Sequence, residues 1–249
     1  MAYLAAVFMG LVLGALGGGG GVLTVPIFVY LFHQPPEVAT GSSLFVVGAA
    51  SLFGAAATIH KKEADLAAAI TIAIPSSIGT FLARSYLVPA IPSQILGIDR
   101  GRWLMGAFAV IMLIVGTRML TPAKEVEEAG AKPLLLTGLI GVAIGIISGT
   151  LGAGGGFLVV PALNLLLGVD LKRAISTSLL VITCQSLVGF TGELRHAIDW
   201  PTLLAVTAAA IIGMFIGIAL RDRAPKKSLQ RAFAYMVLAM AIWVISQIL

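Results

Sequence analysis

The chain has 249 residues, of which 59% are hydrophobic and 11% charged, with a net charge of +5 at pH 7 and a mean hydropathy of +1.04. A soluble domain carries roughly 25% charged residues, so the composition excludes an ordinary water-soluble protein and indicates a chain surrounded by lipid. The single cysteine, Cys184, excludes a disulfide framework. The positive charge is spread over predicted loops, which is typical of cytoplasmic flanks and gives no indication of nucleic-acid binding.

Long runs without charged residues predict the membrane elements in chain order. A helix needs about 20 mostly apolar residues to cross a bilayer, and most of these runs approach or reach that length. The first run lacks the positively charged start of a signal peptide, so we expect it to be a membrane element. The sequence predicts an all-α, polytopic membrane helical bundle with elements at 1–16, 22–32, 38–60, 65–88, 102–120, 133–150, 157–168, 173–194, 200–220 and 228–248.

A glycine-rich phrase occurs twice, about half a chain apart. Residues 16–26 and 151–161 share two Leu, four Gly, Val and Pro in the same places. Segments rich in Ser and Thr follow at the same offset, at 40–44 and 175–179. These correspondences predict two homologous halves, at 1–120 and 133–249, joined by a cytoplasmic linker at 121–132.

The element after each glycine run is too short to cross the membrane. Eleven or twelve helical residues span about 17 Å, whereas the hydrocarbon core is about 30 Å thick. We therefore expect a Gly-broken or re-entrant helix pair at the start of each half. If the halves are inverted, the Lys and Arg residues divide more unevenly between the two sides of the membrane than if the halves are parallel. Because the positive-inside rule favours the uneven distribution, the sequence predicts inverted repeats.

The glycine runs are also the candidate ligand site. The first amides of the helix that follows have no partner within that helix, and the positive end of the helix dipole lies beside them. Together they can bind an anion without any Lys or Arg. Irregular backbone at membrane depth is tolerated where it is buried or lines a cavity. An alternative is that the glycines only permit tight helix packing.

The predicted substrate-binding residues combine these glycines with nearby hydroxyl and amide side chains: Gly17, Gly18, Gly19, Gly20, Gly21, Thr40, Ser42, Ser43, Gly152, Gly154, Gly155, Gly156, Ser176, Thr177, Ser178 and Gln185. The hydroxyls could equally cap the helices in which they lie. The sequence contains no Walker loop, no H-E-x-x-H and no C-x-x-C pattern. We therefore expect no metal site and no cofactor.

The repeated pattern G-x-G-G-G-x-x-x-x-P resembles that of the TauE/SafE sulfite exporter family. Each copy is followed by the element Ala-Thr-Gly-Ser-Ser-Leu at 39–44 or Ala-Ile-Ser-Thr-Ser-Leu at 174–179. The resemblance covers essentially the whole chain and departs at Gly41, where the family more often has Ser or Thr. It implies a multi-pass inner-membrane carrier that moves a small sulfur-containing anion, such as sulfite or an organosulfonate, commonly outward.

The leading hypothesis is a secondary transporter that exports such an anion by alternating access, with the anion resting between the two glycine turns. It implies no enzyme activity, and association into a homodimer is a further expectation. One alternative is an intramembrane enzyme with Ser148 or Ser178 as its nucleophile. The base would then be His60 or His196. Another alternative is a membrane scaffold without a cavity.

Overall fold

The computed structural model describes residues 2–60, 63–92, 94–95, 98–120, 134–151, 156–192 and 198–248. The predicted linker at 121–132 lies outside the described residues, as do Gly152, Gly154 and Gly155. The described chain is helical apart from connecting segments and one antiparallel pair of two-residue strands, β1 (Gln94–Ile95) and β2 (Ile98–Asp99). Strands this short carry no recognisable periodicity, so the sequence did not predict them.

The helices follow the predicted elements closely. In the first half they are α1 (Ala2–Leu16), α2 (Gly19–Pro26, continued by a π-helical turn Ile27–Leu31), α3 (Pro36–His60), α4 (Leu66–Leu82, continued by a π-helical turn Ala83–Leu87), α5 (Val88–Ala90) and α6 (Arg100–Leu120). In the second half they are α7 (Leu134–Leu151), α8 (Gly156–Pro161, continued by a π-helical turn Ala162–Leu166), α9 (Leu171–Thr191), α10 (Trp200–Arg223) and α11 (Lys226–Ile248). α2 begins earlier than predicted, because Gly19 to Gly21 form its first turn.

Equivalent aspartates begin α4 and α10 in the same way. The Oδ1 atom of Asp65 accepts a hydrogen bond from the amide of Ala68 at 3.0 Å. The Oδ1 atom of Asp199 accepts one from the amide of Thr202 at 3.3 Å. Each carboxylate satisfies a free amide in the first turn and lies favourably at the positive end of the helix dipole.

Six helices of the described chain are long and apolar enough to cross a membrane, three in each half: Val38–His60, Leu66–Ala90, Arg100–Leu120, Leu171–Thr191, Trp200–Arg223 and Lys227–Gln247. The protein is therefore a multi-pass membrane protein. The spans within α9 and α3 are the most buried, at 72% and 61%, and form the centre of the bundle. The outer helices expose large apolar side chains such as Ile74 on α4 and Ile212 on α10, as expected of surfaces that face acyl chains.

The two central helices run antiparallel. A Cβ on Gly54 of α3 would lie 3.2 Å from the side chain of Leu179 on α9, and one on Gly189 of α9 would lie 3.3 Å from that of Leu44 on α3. The residue numbers rise along one helix as they fall along the other. The two contacts are also equivalent under the offset that aligns the two glycine phrases.

The first helix of each half packs against the other half. Gly10 of α1 contacts the backbone of Ala210 on α10, and Gly145 of α7 contacts the backbone of Ser76 on α4. These contacts are again equivalent under the correspondences read from the sequence. Small residues let helix backbones approach closely in a membrane. These glycines therefore stabilise the packing of the first helix of each half against a helix of the other half.

We expect Gly145→Val to destabilise the protein, because the new side chain overlaps the backbone of Ser76. Overpacking a close contact costs about 1–3 kcal/mol, which corresponds to a loss of roughly 2–4 °C in Tm for each kcal/mol. Thermal unfolding of the purified protein measures the change. Gly138→Val is the matched control on the same helix, since no described atom lies within 4 Å of its Cβ position. Equal Tm values for the two variants would contradict the close contact.

Candidate anion-binding site

Gly17 and Gly18 lie between the end of α1 and the start of α2. α1 ends at Leu16, and Gly17 has a φ of +74°, a conformation that L side chains rarely adopt. Its amide donates to the carbonyl of Leu13 at 2.8 Å. The next residue, Gly18, is extended and precedes the first turn of α2. The amides of Gly19 and Gly20 thus stand at the head of α2, where the helix itself offers them no acceptor.

Gly18, at the head of α2, meets Gly156, the first described residue of α8, inside the protein. Gly18 contacts the backbone of Gly156 so closely that a side chain at either position would overlap the other segment. A Cβ on Gly156 would also lie 2.6 Å from the side chain of Ile182 on α9. The repeated glycine phrases predict a substrate between the two glycine turns. At Gly18 and Gly156 that space is closed in this conformation.

Three consecutive hydroxyl residues of α9 each contact a different segment. The hydroxyl of Ser178 lies 2.9 Å from the carbonyl oxygen of Gly17 and donates to it or to its own helix. The Oγ1 atom of Thr177 accepts from the amide of Asp65 at 2.9 Å. The Oγ atom of Ser176 accepts from Nη1 of Arg221 at 2.9 Å. All three side chains are fully buried, so in this conformation they connect α9 to the first half and to α10.

The hydroxyl residues of the first half have a different environment. Thr40, Ser42 and Ser43 lie in the second turn of α3 and are buried. Ser43 occupies the position equivalent to Ser178, but its hydroxyl has no hydrogen-bond partner among the described residues. Leaving a buried hydroxyl unpaired costs about 1–3 kcal/mol, so Ser43 is a polar group available to a ligand.

Helix capping does not explain these hydroxyls. α9 begins at Leu171 and its N-cap is Asp170, whose carboxylate accepts from the amide of Lys172 at 3.2 Å. α3 begins at Pro36. The predicted Ser and Thr residues therefore lie within their helices, past the position at which a side chain caps the first turn.

Arg221 is the functional candidate that sequence analysis missed. It lies in the last turn of α10 with a side chain that is 2% exposed. Its Nη2 atom donates to Glu63 at 2.6 Å and to Asp222 at 3.0 Å. The only signal in the sequence was a charge near the end of an apolar helix, which is equally typical of a residue at the membrane surface.

Two further buried serines, Ser51 and Ser186, also lie in the centre of the bundle. Each is fully buried, and neither hydroxyl has a hydrogen-bond partner in the described chain. They are equivalent positions of α3 and α9, which the repeat had aligned. Gln185, which the sequence did predict, is fully buried beside Ser186.

The serine–histidine pairs of the enzyme hypothesis are not formed among the described residues. The hydroxyl of Ser178 bonds to main-chain carbonyls, and that of Ser148 has no partner in this part of the chain. His60 is exposed at the end of α3. His196 lies outside the described residues.

The fold and this cluster define a polytopic helical membrane protein with a buried polar centre, built around a glycine-mediated meeting of two helix starts. The chain belongs to the TauE/SafE family, described as "Sulfite exporter TauE/SafE", which matches residues 2–244. The family indicates a membrane transporter.

Named relatives agree with this class. The chain is 31% identical to a "Probable membrane transporter protein" of Xylella fastidiosa, over 95% of this chain and 91% of the relative. It is 25% identical to the probable membrane transporter protein YdhB of Bacillus subtilis, over 90% and 91%. A shorter match, 28% identical over 39% of this chain and 24% of the relative, is the "Sulfite exporter TauE/SafE family protein 6" of Arabidopsis thaliana. No solved structure matches the chain.

Proposed function

We propose that this protein is a secondary transporter that exports a small sulfur-containing oxyanion, such as sulfite or an organosulfonate, across the inner membrane. The observation that carries the proposal is the meeting of two glycine-led helix starts, α2 and α8, in the interior of the protein. The family, described as a sulfite exporter, supports the choice of substrate. Free amides at a helix start suit an anion and need no cofactor.

The anion binds beside the contact between Gly18 and Gly156, against the amides at the head of α2. Donors come from the two glycine runs and from the hydroxyl and amide side chains around them, which are Gly17 to Gly21, Gly152, Gly154, Gly155, Gly156, Thr40, Ser42, Ser43, Ser176, Thr177, Ser178 and Gln185. Among these, Ser43 is fully buried and its hydroxyl has no hydrogen-bond partner in the described chain. Its hydroxyl is therefore a side-chain donor that can bind the anion directly.

Alternating access follows from two inverted halves at 1–120 and 133–249, joined by a cytoplasmic linker. The antiparallel course of α3 and α9 supports inversion, because these are equivalent helices of the two halves. The re-entrant pair in the first half is supported by the packing of Gly20 against Leu13, which folds α2 back along α1. One half then rocks against the other around the shared site.

This conformation is closed on the linker side. With α7 and α8 as a re-entrant pair, the α3–α4 loop, the start of α9 and the end of α10 lie on the side of the linker. There Glu63 contacts Arg221 and the amide of Asp65 donates to Thr177. Both contacts join the two halves, so opening toward the cytoplasm requires that they break.

Transport in proteoliposomes tests the proposal. Liposomes that contain the purified protein should accumulate radiolabelled sulfite faster than protein-free liposomes, and unlabelled methanesulfonate should compete. A membrane scaffold would give no flux above the protein-free control, and that result would refute the transporter assignment. Homodimer formation stays a prediction and has no part in this mechanism.

A further inference from the structure

The end of α10 holds one buried guanidinium between two carboxylates. Arg221 donates through Nη2 to Glu63 at 2.6 Å and to Asp222 at 3.0 Å, and through Nη1 to the hydroxyl of Ser176 at 2.9 Å. Bonds between a guanidinium and a carboxylate are short, strong and directional. The cluster therefore contains a guanidinium and a hydroxyl, which can bind an oxyanion, and it carries one positive and two negative charges.

The two carboxylates are not equivalent. Asp222 is the chain neighbour of Arg221 and moves with α10. Glu63 comes from the loop between α3 and α4 in the other half, and its side chain is 37% exposed. The same loop is attached to α9 by the bond from the amide of Asp65 to Thr177. When the halves move apart, Glu63 leaves Arg221 while Asp222 stays.

We propose that Arg221 and Ser176 form a second binding site on the linker side, for a singly charged oxyanion, and that the carboxylate of Glu63 occupies this site in the closed conformation. The inference rests on the proposed export of a small oxyanion and adds the site where that anion first binds. A carboxylate presents two oxygens to a guanidinium, as a sulfonate or hydrogensulfite does. Glu63 is therefore a tethered substitute for the substrate.

Charge balance selects the class of anion. Exchange of the Glu63 carboxylate for a monoanion leaves the net charge of the cluster unchanged. A dianion adds a second negative charge next to Asp222, and the cost of removing an ion from water rises steeply with its charge. The site thus favours a sulfonate or hydrogensulfite over sulfate.

The position of the site connects it to the glycine turn. Ser176 begins the row of three hydroxyl residues on α9, and the hydroxyl at the end of that row, on Ser178, reaches the carbonyl of Gly17. In the first half the positions equivalent to Ser176 and Arg221 are Gly41 and Leu87, which offer no polar side chain. The site therefore exists on one side only.

A titration of the purified protein with methanesulfonate tests the inference, with Tm as the readout of binding. Glu63→Gln removes the competing charge and keeps a polar side chain in the loop. Since a tethered competitor acts at an effective concentration in the millimolar range, we expect this variant to bind methanesulfonate roughly tenfold more tightly than the wild type. The gain should be absent with sulfate.

A second substitution identifies the cation responsible. In the Glu63→Gln background, Arg221→Gln should remove the gain in methanesulfonate affinity. Arg223→Gln is the matched control with the same loss of charge, two residues further on and exposed, and it should retain the gain.

Unchanged methanesulfonate affinity in Glu63→Gln, in a protein whose wild type transports sulfite, would overturn this inference and leave the proposed function standing. An equal gain with sulfate would overturn the preference for a single charge. Absence of both binding and flux in the wild type would instead refute the proposed function, and this inference with it.

Discussion

Gly18→Ala should reduce sulfite flux roughly ten- to a hundredfold. The new Cβ overlaps the backbone of Gly156 and forces the heads of α2 and α8 apart. Overpacking a close contact costs about 1–3 kcal/mol, and about 1.4 kcal/mol corresponds to a factor of ten. Initial rates of sulfite uptake into proteoliposomes, normalised to the amount of reconstituted protein, measure the effect.

The cause of this loss is steric, since the φ of −167° at Gly18 is an extended conformation open to any residue. Gly106→Ala is the matched control, because no described atom lies within 4 Å of the added Cβ. We expect this control to transport sulfite at the wild-type rate. Gly156→Ala should reproduce the loss from the other side of the contact. Wild-type flux in Gly18→Ala would show that the meeting of the two helix starts is not part of the transport site.

The helices could be predicted from the sequence because charges and glycines mark their ends. α1 ends at Leu16, directly before the glycine run. No other feature of this apolar segment marks the end of a helix. The packing of the first helix of each half against the other half could not be predicted. In lipid nearly every helix face is apolar, so the sequence pattern does not show which helices pack together. The glycines at these contacts, such as Gly10 and Gly145, were visible in the sequence only as small residues.

The residues of the candidate site could be predicted from the sequence, but their hydrogen-bond partners could not. The Ser and Thr residues were found because they recur at a fixed offset, yet sequence cannot distinguish a hydroxyl that binds a ligand from one that binds backbone. Ser178 and Ser43 are equivalent in pattern, whereas only Ser178 has a hydrogen-bond partner in the described chain. Arg221 was missed because its burial depends on a loop of the other half that closes over it.

The difference between Ser43 and Ser178 leads to opposite expectations for the same substitution. Ser178→Ala removes the bond to Gly17, so we expect stability to fall by about 1 kcal/mol and Tm to fall with it. Ser43→Ala removes no hydrogen bond to the described residues, so we expect Tm to be unchanged or slightly higher. The sulfite affinity of Ser43→Ala should nevertheless fall roughly ten- to a hundredfold, because a hydrogen bond to a charged group contributes about 1.5–3 kcal/mol.

Thermal unfolding of both variants, with and without sulfite, measures the two effects together. A bound anion stabilises only the native state, so Ser43→Ala should lose the sulfite-dependent rise in Tm while keeping the Tm of the free protein. A lower Tm for free Ser43→Ala would mean that its hydroxyl has a structural partner. Undiminished sulfite binding would mean that the anion does not contact it. Either result would contradict direct contact between the anion and the hydroxyl of Ser43.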